Sequence, residues 1–294
     1  MDINKVVLVA GGDLRQVYLA QHLADFFTVY AVGFDKNVVA SDKILLLDGL
    51  VSFKKRIDYL ILPIPVSNDG VMLNTPFFGS GISIESLVSL VKDGGIVFGG
   101  KFSAMAKAIF DSKGIETIDY LKREELAVLN AVPTAEGALQ IAMEELPTTI
   151  FGQNILITGY GRISKVLAKL LIGFGAKVSI AARKYSDIAW AGIFECDGVH
   201  ISKIDEKINR YDIIFNTVPA LLFDEKRLSY LKKSCLLIDL ASKPGGVDFD
   251  AASSLGVKVI WALSLPGKVA PVTSGEIIGH TIINILEERG DDNV

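Results

Sequence analysis

Cysteine, histidine and tryptophan are scarce in this 294-residue sequence, which has two, three and two of them. Cys196 and Cys235 lie far apart, and neither has a second Cys or a His at metal-ligand spacing. That excludes a disulfide framework and argues against a zinc site, so no metal site is expected. Both cysteines read as small buried hydrophobes. An excess of one charge is also missing. The 30 Lys and Arg against 34 Asp and Glu give a formal net charge of −4, which leaves no cationic surplus for gripping a nucleic-acid backbone. No apolar run reaches the ~18 residues that suggest a membrane span. The N-terminal Met-Asp-Ile-Asn-Lys lacks the apolar stretch and cleavage site of a signal peptide. Repeats of about 20–50 residues and low-complexity segments are absent. A soluble cytoplasmic protein is expected, with neither nucleic acid nor membrane as partner.

What is present is an ordinary globular composition, 50% hydrophobic and 22% charged, in a chain about twice the ~150 residues of one domain. Short β-branched runs alternate with amphipathic stretches. Residues 5–10 (KVVLVA), 28–34 (TVYAVGF), 58–63 (DYLILP) and 95–98 read as strands, with a helix over 14–24. Strands alternating with helices imply parallel pairing through helical crossovers. Between residues 130 and 147 the character changes: Thr134 is placed to cap a helix that ends before Pro147, a connector between two domains.

A second strand–turn–helix unit starts at residues 154–158 (NILIT). Residues 177–182, 211–216, 235–240 and 257–262 supply four more strands. The expected fold is therefore α/β: two domains with mostly parallel, doubly wound sheets, over residues 1–130 and 151–274, joined by a connector at 131–150. A last amphipathic helix within 275–294 has no strand after it and is expected to return to the first domain.

The strongest chemical signal is Gly159-Tyr160-Gly161-Arg162-Ile163-Ser164, which follows a strand and opens a helix. Gly159 permits the sharp turn, Gly161 lets a pyrophosphate approach the backbone, and a small residue at 164 lets helix and strand pack closely. The helix N-terminus then offers unpaired N–H donors to the phosphates. Ser164 stands where Gly or Ala is usual. At the end of the next strand, an acid would accept from the ribose 2′-OH of NAD. Here the sequence is Ala182-Arg183-Lys184, two cations that suit a 2′-phosphate, so NADP is the expected cofactor. Loops after the later strands, with Thr217, Val218, Pro219, Ala241, Ser242 and Pro266, are expected to wall the same crevice.

A second glycine turn, Gly11-Gly12-Asp13-Leu14-Arg15-Gln16, lacks the dinucleotide spacing. It reads as a small-anion site in which Arg15 and open backbone donors of the glycines hold a carboxylate.

Several segments together resemble the family of the dipicolinate synthase A subunit from spore-forming bacteria. They are Gly-Gly-Asp-x-Arg-Gln at 11–16, Val-Gly-Phe-Asp at 32–35, Val-Pro-Thr-Ala-Glu-Gly at 132–137 and Gly-Tyr-Gly-Arg at 159–162. Ala-Arg at 182–183, Asp-Leu-Ala-Ser-Lys-Pro-Gly-Gly-Val-Asp-Phe at 239–249 and Leu-Pro-Gly-Lys-Val-Ala-Pro at 265–271 complete the set. The resemblance implies an N-terminal Rossmann-like domain and a C-terminal NADP-binding domain. It also implies formation of pyridine-2,6-dicarboxylate from the dihydrodipicolinate branch of lysine biosynthesis during sporulation, in an oligomer with the flavoprotein-like B subunit of dipicolinate synthase.

For a small dicarboxylate substrate, aromatisation removes a hydride and a proton, and the carboxylates need cationic or N–H partners. The candidates are Gly12, Asp13, Arg15, Thr134, Pro219, Gly245 and Lys268 for binding, with Lys243 and the proton acceptor Glu136 as catalytic groups. His22, His200 and His280 fall outside the glycine and proline loops and read as structural. That weakens the alternative of a 2-hydroxyacid dehydrogenase, which needs a placed acid–base group. A non-catalytic NADP(H)-binding regulatory or scaffold protein of the synthase is the other alternative.

Overall fold

The computed structural model describes residues 5–39 and 41–290. The first four residues of the N-terminal reading and residues 291–294 of the polar tail lie outside the described residues. The chain forms two compact units, Met1–Asn130 with Ala270–Val294, and Ala131–Val269.

The first unit runs β1 (Val6–Ala10), α1 (Leu14–Leu23), β2 (Thr28–Val32), β3 (Ile44–Leu47), β4 (Ile57–Ile61), α2 (Ile84–Val88), β5 (Val91–Gly99), α3 (Ala104–Asp111), β6 (Glu116–Asp119) and α4 (Glu124–Leu129). Its sheet has the order β3-β2-β1-β4-β5-β6, with parallel pairing throughout. In β1 alternate residues serve opposite faces. Val7 and Val9 join one core with Val17 and Leu19 of α1, whereas Leu8 and Ala10 join another with Ile84, Leu87, Ala106 and Phe110. A parallel strand covered on both faces is apolar throughout, which is why KVVLVA reads as one continuous run.

The second unit runs α5 (Ala131–Glu145), β7 (Asn154–Thr158), α6 (Arg162–Gly173), β8 (Lys177–Ala182), α7 (Tyr185–Ile193), β9 (Asp197–His200), β10 (Ile213–Asn216), α8 (Glu225–Ser229), β11 (Leu236–Asp239), α9 (Phe249–Leu255), β12 (Lys258–Trp261) and α10 (Leu265–Val269). The order β12-β11-β10-β7-β8-β9 places β7 and β10 side by side at the centre, with later strands added outward on both sides. The first sheet is built the same way around β1 and β4, in the doubly wound manner. In each sheet the direction of winding reverses between those central strands, which opens a crevice at the carboxyl ends. α11 (Pro271–Glu288) then returns to the first unit. Its Ile278, Ile282 and Ile285 lie in the same core as α1.

Three local expectations are corrected. The helix with Thr134 begins at Ala131, so Thr134 sits inside its first turn instead of capping it. Pro133 is tolerated there because first-turn N–H groups have no intrahelical partner to lose. α5 is also part of the second unit and not a free-standing connector: Ala135, Ala138, Leu139 and Ala142 fill the core built on β7. The stretch Glu124–Glu145 has the length and mean hydropathy of a membrane span, as core helices of globular proteins also can, and its most apolar part is 44% buried inside the protein. Finally, the segment read as a loop from 265 to 271 holds the helical turn of α10 and the proline that starts α11. Proline's fixed φ suits the first helical position.

Candidate functional site

The topology gathers the glycine turn, Arg183 and Lys184, and Thr217 to Pro219 at the carboxyl ends of three adjacent strands, β7, β8 and β10, whereas Ala241 and Ser242 follow β11 and Pro266 lies in α10. Gly159, at φ +89°, makes the turn out of β7; a Cβ there would lie 2.5 Å from Thr217 Oγ1. Such a conformation and such a contact admit only glycine. At Gly161, by contrast, nothing lies within 4 Å of a projected Cβ. Gly161 is the N-cap of α6 and gives that helix no side-chain cap. An open glycine before an uncapped helix end fits a pyrophosphate. The side chains of Tyr160 and Ile163 pack partly against the core and are half-buried. Burial raises the Tyr160 pKa, with Cys196 and Asp187 adding to it.

A buried polar network braces this turn. Ser164 Oγ and Thr217 Oγ1 are 2.9 Å apart, and Thr217 Oγ1 donates to Thr158 O at 2.7 Å. Thr158 Oγ1 donates to Asn216 Oδ1 at 2.6 Å, and Asn216 Nδ2 donates to Asp239 Oδ1 at 2.8 Å. Val218 N donates to Asn216 Oδ1 at 3.1 Å. Thr158, Ser164, Asn216 and Asp239 have no exposed surface. Ser164 in place of Gly or Ala thus supplies a hydroxyl that ties α6 to the loop after β10. Asn216 and Asp239 were not among the expected residues. Their signal is present in the sequence all the same, as a polar residue closing an otherwise apolar strand in IIFN and LLID.

Asp239 also accepts from Ala241 N at 3.1 Å and Gly246 N at 2.8 Å, and Gly245 N donates to Ser242 O at 2.9 Å. Gly245 N, expected to serve a substrate carboxylate, and Gly246 N are therefore engaged within the loop, which removes Gly245 as a substrate donor. Ala241 is buried, and its carbonyl accepts from Trp261 Nε1 at 3.0 Å; its backbone shapes the loop and is not open to a cofactor. Ser242 and Lys243 at the tip of the same loop are exposed.

Arg183 and Lys184 follow β8 and are both exposed, with no acidic residue at the strand end. His200 Nε2 lies 3.1 Å from the Arg183 carbonyl oxygen, so His200 adjoins the cofactor turn although its place in the sequence suggested a structural part.

The other candidates of this unit lie near α5 and α10. Gly137 brings the two helices together, its projected Cβ lying 3.1 Å from Val269 and 3.2 Å from Leu265. Glu136 and Lys268, next in sequence to Gly137 and Val269, are both exposed; Thr134 and Pro266 are half-buried. Pro219 is exposed in the loop after β10.

The glycine turn of the first unit differs. Gly11 N donates to Val32 O and Gly12 N to Asn74 O, both at 2.8 Å, so the open donors expected there are absent. Asp13 caps α1 by accepting from Arg15 N at 3.0 Å. Its carboxylate also takes the Arg15 guanidinium, with Nε and Nη2 at 2.9 and 2.7 Å. Burial works against the charged guanidinium, but Asp13 outweighs it and holds the Arg15 pKa above its ordinary value. The protein's own carboxylate thus fills the place expected for a ligand's, which corrects the assignment of Gly12, Asp13 and Arg15 as an open anion site. Of the two glycine turns, only that of α6 has the uncapped helix end.

Comparison with known proteins follows the same division. Residues 6–121 match the family described as the N-terminal domain of the dipicolinate synthase A subunit, and residues 132–250 match the D-isomer specific 2-hydroxyacid dehydrogenase, NAD binding domain. The chain is 28% identical over 287 residues to the dipicolinate synthase A subunit of Bacillus subtilis (strain 168), covering 96% of each. It superposes on the crystal structure of the dipicolinate synthase A subunit from Bacillus halodurans with a TM-score of 0.89 and 29% identity, over 97% of this chain and 99% of that one. A transhydrogenase from Sinorhizobium meliloti shares the fold alone, with a TM-score of 0.70 at 15% identity over 97% and 94% of the two chains.

Proposed function

From a chain that is a relative of the dipicolinate synthase A subunit along nearly its whole length, we propose an NADP-dependent dehydrogenase that forms pyridine-2,6-dicarboxylate from dihydrodipicolinate. The second unit is a nicotinamide-dinucleotide-binding domain of the dehydrogenase type. The observation that carries the finer reading is the pair Arg183-Lys184 after β8, where an NAD-binding domain would carry an acid. When bound, the nicotinamide supplies the hydride-accepting ring carbon.

The chain's own residues have three tasks. Gly159, Gly161 and the uncapped end of α6 hold the pyrophosphate, while Arg183 and Lys184 hold the 2′-phosphate. Lys243 and Lys268 take the substrate carboxylates. Glu136 accepts the proton that leaves with the hydride, since its carboxylate is exposed one residue from the contact of Gly137 with Val269. The reaction then balances: the dihydropyridine ring loses one hydride and one proton and becomes aromatic.

A coupled assay tests this reading. Dihydrodipicolinate is generated in situ and offered to the purified chain with NADP⁺ or NAD⁺, and nicotinamide reduction and dipicolinate formation are followed together. Equal amounts of both products with NADP⁺ are expected. If neither forms until the flavoprotein-like B subunit of dipicolinate synthase is added, this chain is one half of a composite site or a nucleotide-binding regulator.

A further inference from the structure

The turn after β8 is held in place from the edge of its sheet. β9 pairs with β8 so that Ala182 lies opposite His200, and the His200 ring reaches one residue further, with Nε2 3.1 Å from the Arg183 carbonyl oxygen. On its other side, Nδ1 is 2.7 Å from Ser202 Oγ and accepts from Ser202 N at 3.3 Å. These partners fix the tautomer. A carbonyl oxygen only accepts and a backbone N–H only donates, so the ring proton is on Nε2 and Nδ1 is the acceptor. The ring of Tyr185 stacks on His200, with centroids 5.2 Å apart and an interplanar angle of 23°.

The Arg183 carbonyl and the Lys184 N–H belong to one planar peptide unit. Fixing that carbonyl fixes the plane in which the chain leaves the strand and enters Lys184, the N-cap of α7. It thereby sets where the exposed Arg183 and Lys184 side chains start. A bidentate guanidinium contact depends on such orientation more than a point charge does.

We propose that His200 is a positioning residue for the cofactor's 2′-phosphate: its Nε2–H holds the Arg183 carbonyl, with Ser202 fixing the tautomer and Tyr185 bracing the ring, so that Arg183 and Lys184 face the phosphate together. This rests on the NADP(H) reading above. The neutral tautomer has no charge of its own for the phosphate, so His200 acts through Arg183 and Lys184.

The test measures adenosine 2′,5′-bisphosphate and AMP binding to the full chain by calorimetry, since the two probes differ only in the 2′-phosphate. The wild type is expected to prefer the bisphosphate. His200→Ala should weaken the bisphosphate about tenfold and leave AMP within about twofold. His200→Gln, whose amide N–H can still donate to the Arg183 carbonyl, should recover most of the loss, and His200→Ala should add nothing in a background that carries both Arg183→Ala and Lys184→Ala. The inference is overturned if His200→Ala keeps the full preference, weakens both probes alike, or still lowers selectivity without Arg183 and Lys184. A wild type with no preference for the bisphosphate overturns the NADP(H) reading and this inference with it. A preference that survives undiminished in His200→Ala overturns this inference alone.

Discussion

Asn216 Nδ2 donates to Asp239 Oδ1 across 2.8 Å, and neither residue has any exposed surface. The pair joins the ends of two neighbouring strands, β10 and β11, beneath the crevice. It also divides the labour of the site, since Asn216 continues the network to Thr158 and the glycine turn while Asp239 holds the loop that carries Lys243.

Asp239 accepts three hydrogen bonds, from Asn216 Nδ2, Ala241 N and Gly246 N, and every partner is a donor. Asp239→Asn puts an NH₂ against at least one of them and leaves a buried donor unmatched. The expected loss is about 1–3 kcal/mol, measured by urea unfolding, with weaker substrate turnover because the Lys243 loop loses its anchor. Unchanged stability would show that the network is not formed in solution.

Arg183→Asp replaces the cation after β8 with the acid that suits a ribose 2′-OH. NADPH affinity should fall about 10–100-fold while NADH affinity holds or rises, because a charge-assisted contact is lost and a repulsion gained. Fluorescence titration of both nucleotides reads the ratio directly. If the ratio stays where it was, the 2′-phosphate is held elsewhere.

The parallel α/β plan was legible because strands buried on both faces show as unbroken apolar runs. β3, β6 and β9 were not. The first two lie at the two edges of the first sheet and the third at an edge of the second; ETID and DGVH are mostly half-exposed or exposed and lack that signature, while ILLL is an apolar run of only four residues, too short to tell strand from helix. In the site, the glycine spacing could be read because its constraint is local. The donors of Gly12 and Gly246 could not, since they are taken by Asn74 and Asp239, which folding alone brings into place. His200 escaped for the same reason: its place beside Arg183 follows from strand register alone.

Gly275 of α11 is packed against α1, where a Cβ would come within 2.5 Å of Arg15 O and 2.8 Å of Leu19 N. Both are backbone atoms and cannot swing aside. Gly275→Ala should therefore destabilise by about 1–3 kcal/mol, the usual cost of overpacking. Gly173, at the end of α6, has nothing within 4 Å of its projected Cβ, so Gly173→Ala should be neutral or stabilise by up to ~1 kcal/mol. Thermal unfolding of the two variants separates close packing from helix propensity; equal effects would mean that α11 does not sit tightly on α1.

His22 gives the same helix pair a pH dependence. Its ring meets that of His280 with centroids 4.3 Å apart. Burial and the neighbouring His280 lower its pKa, and Glu276 and Asp25 oppose them without reversing the direction. Unfolded histidine titrates near ~6.5, so as the pH falls through that value the unfolded chain takes up a proton before the folded one does. Stability rises with pH wherever the unfolded state binds more protons; the contribution of His22 is therefore lost below about pH 6.5. Urea unfolding at neutral and mildly acid pH should show a larger drop for the wild type than for His22→Gln, which has nothing to titrate there. Equal drops would place the His22 pKa at its unfolded value and remove the burial argument.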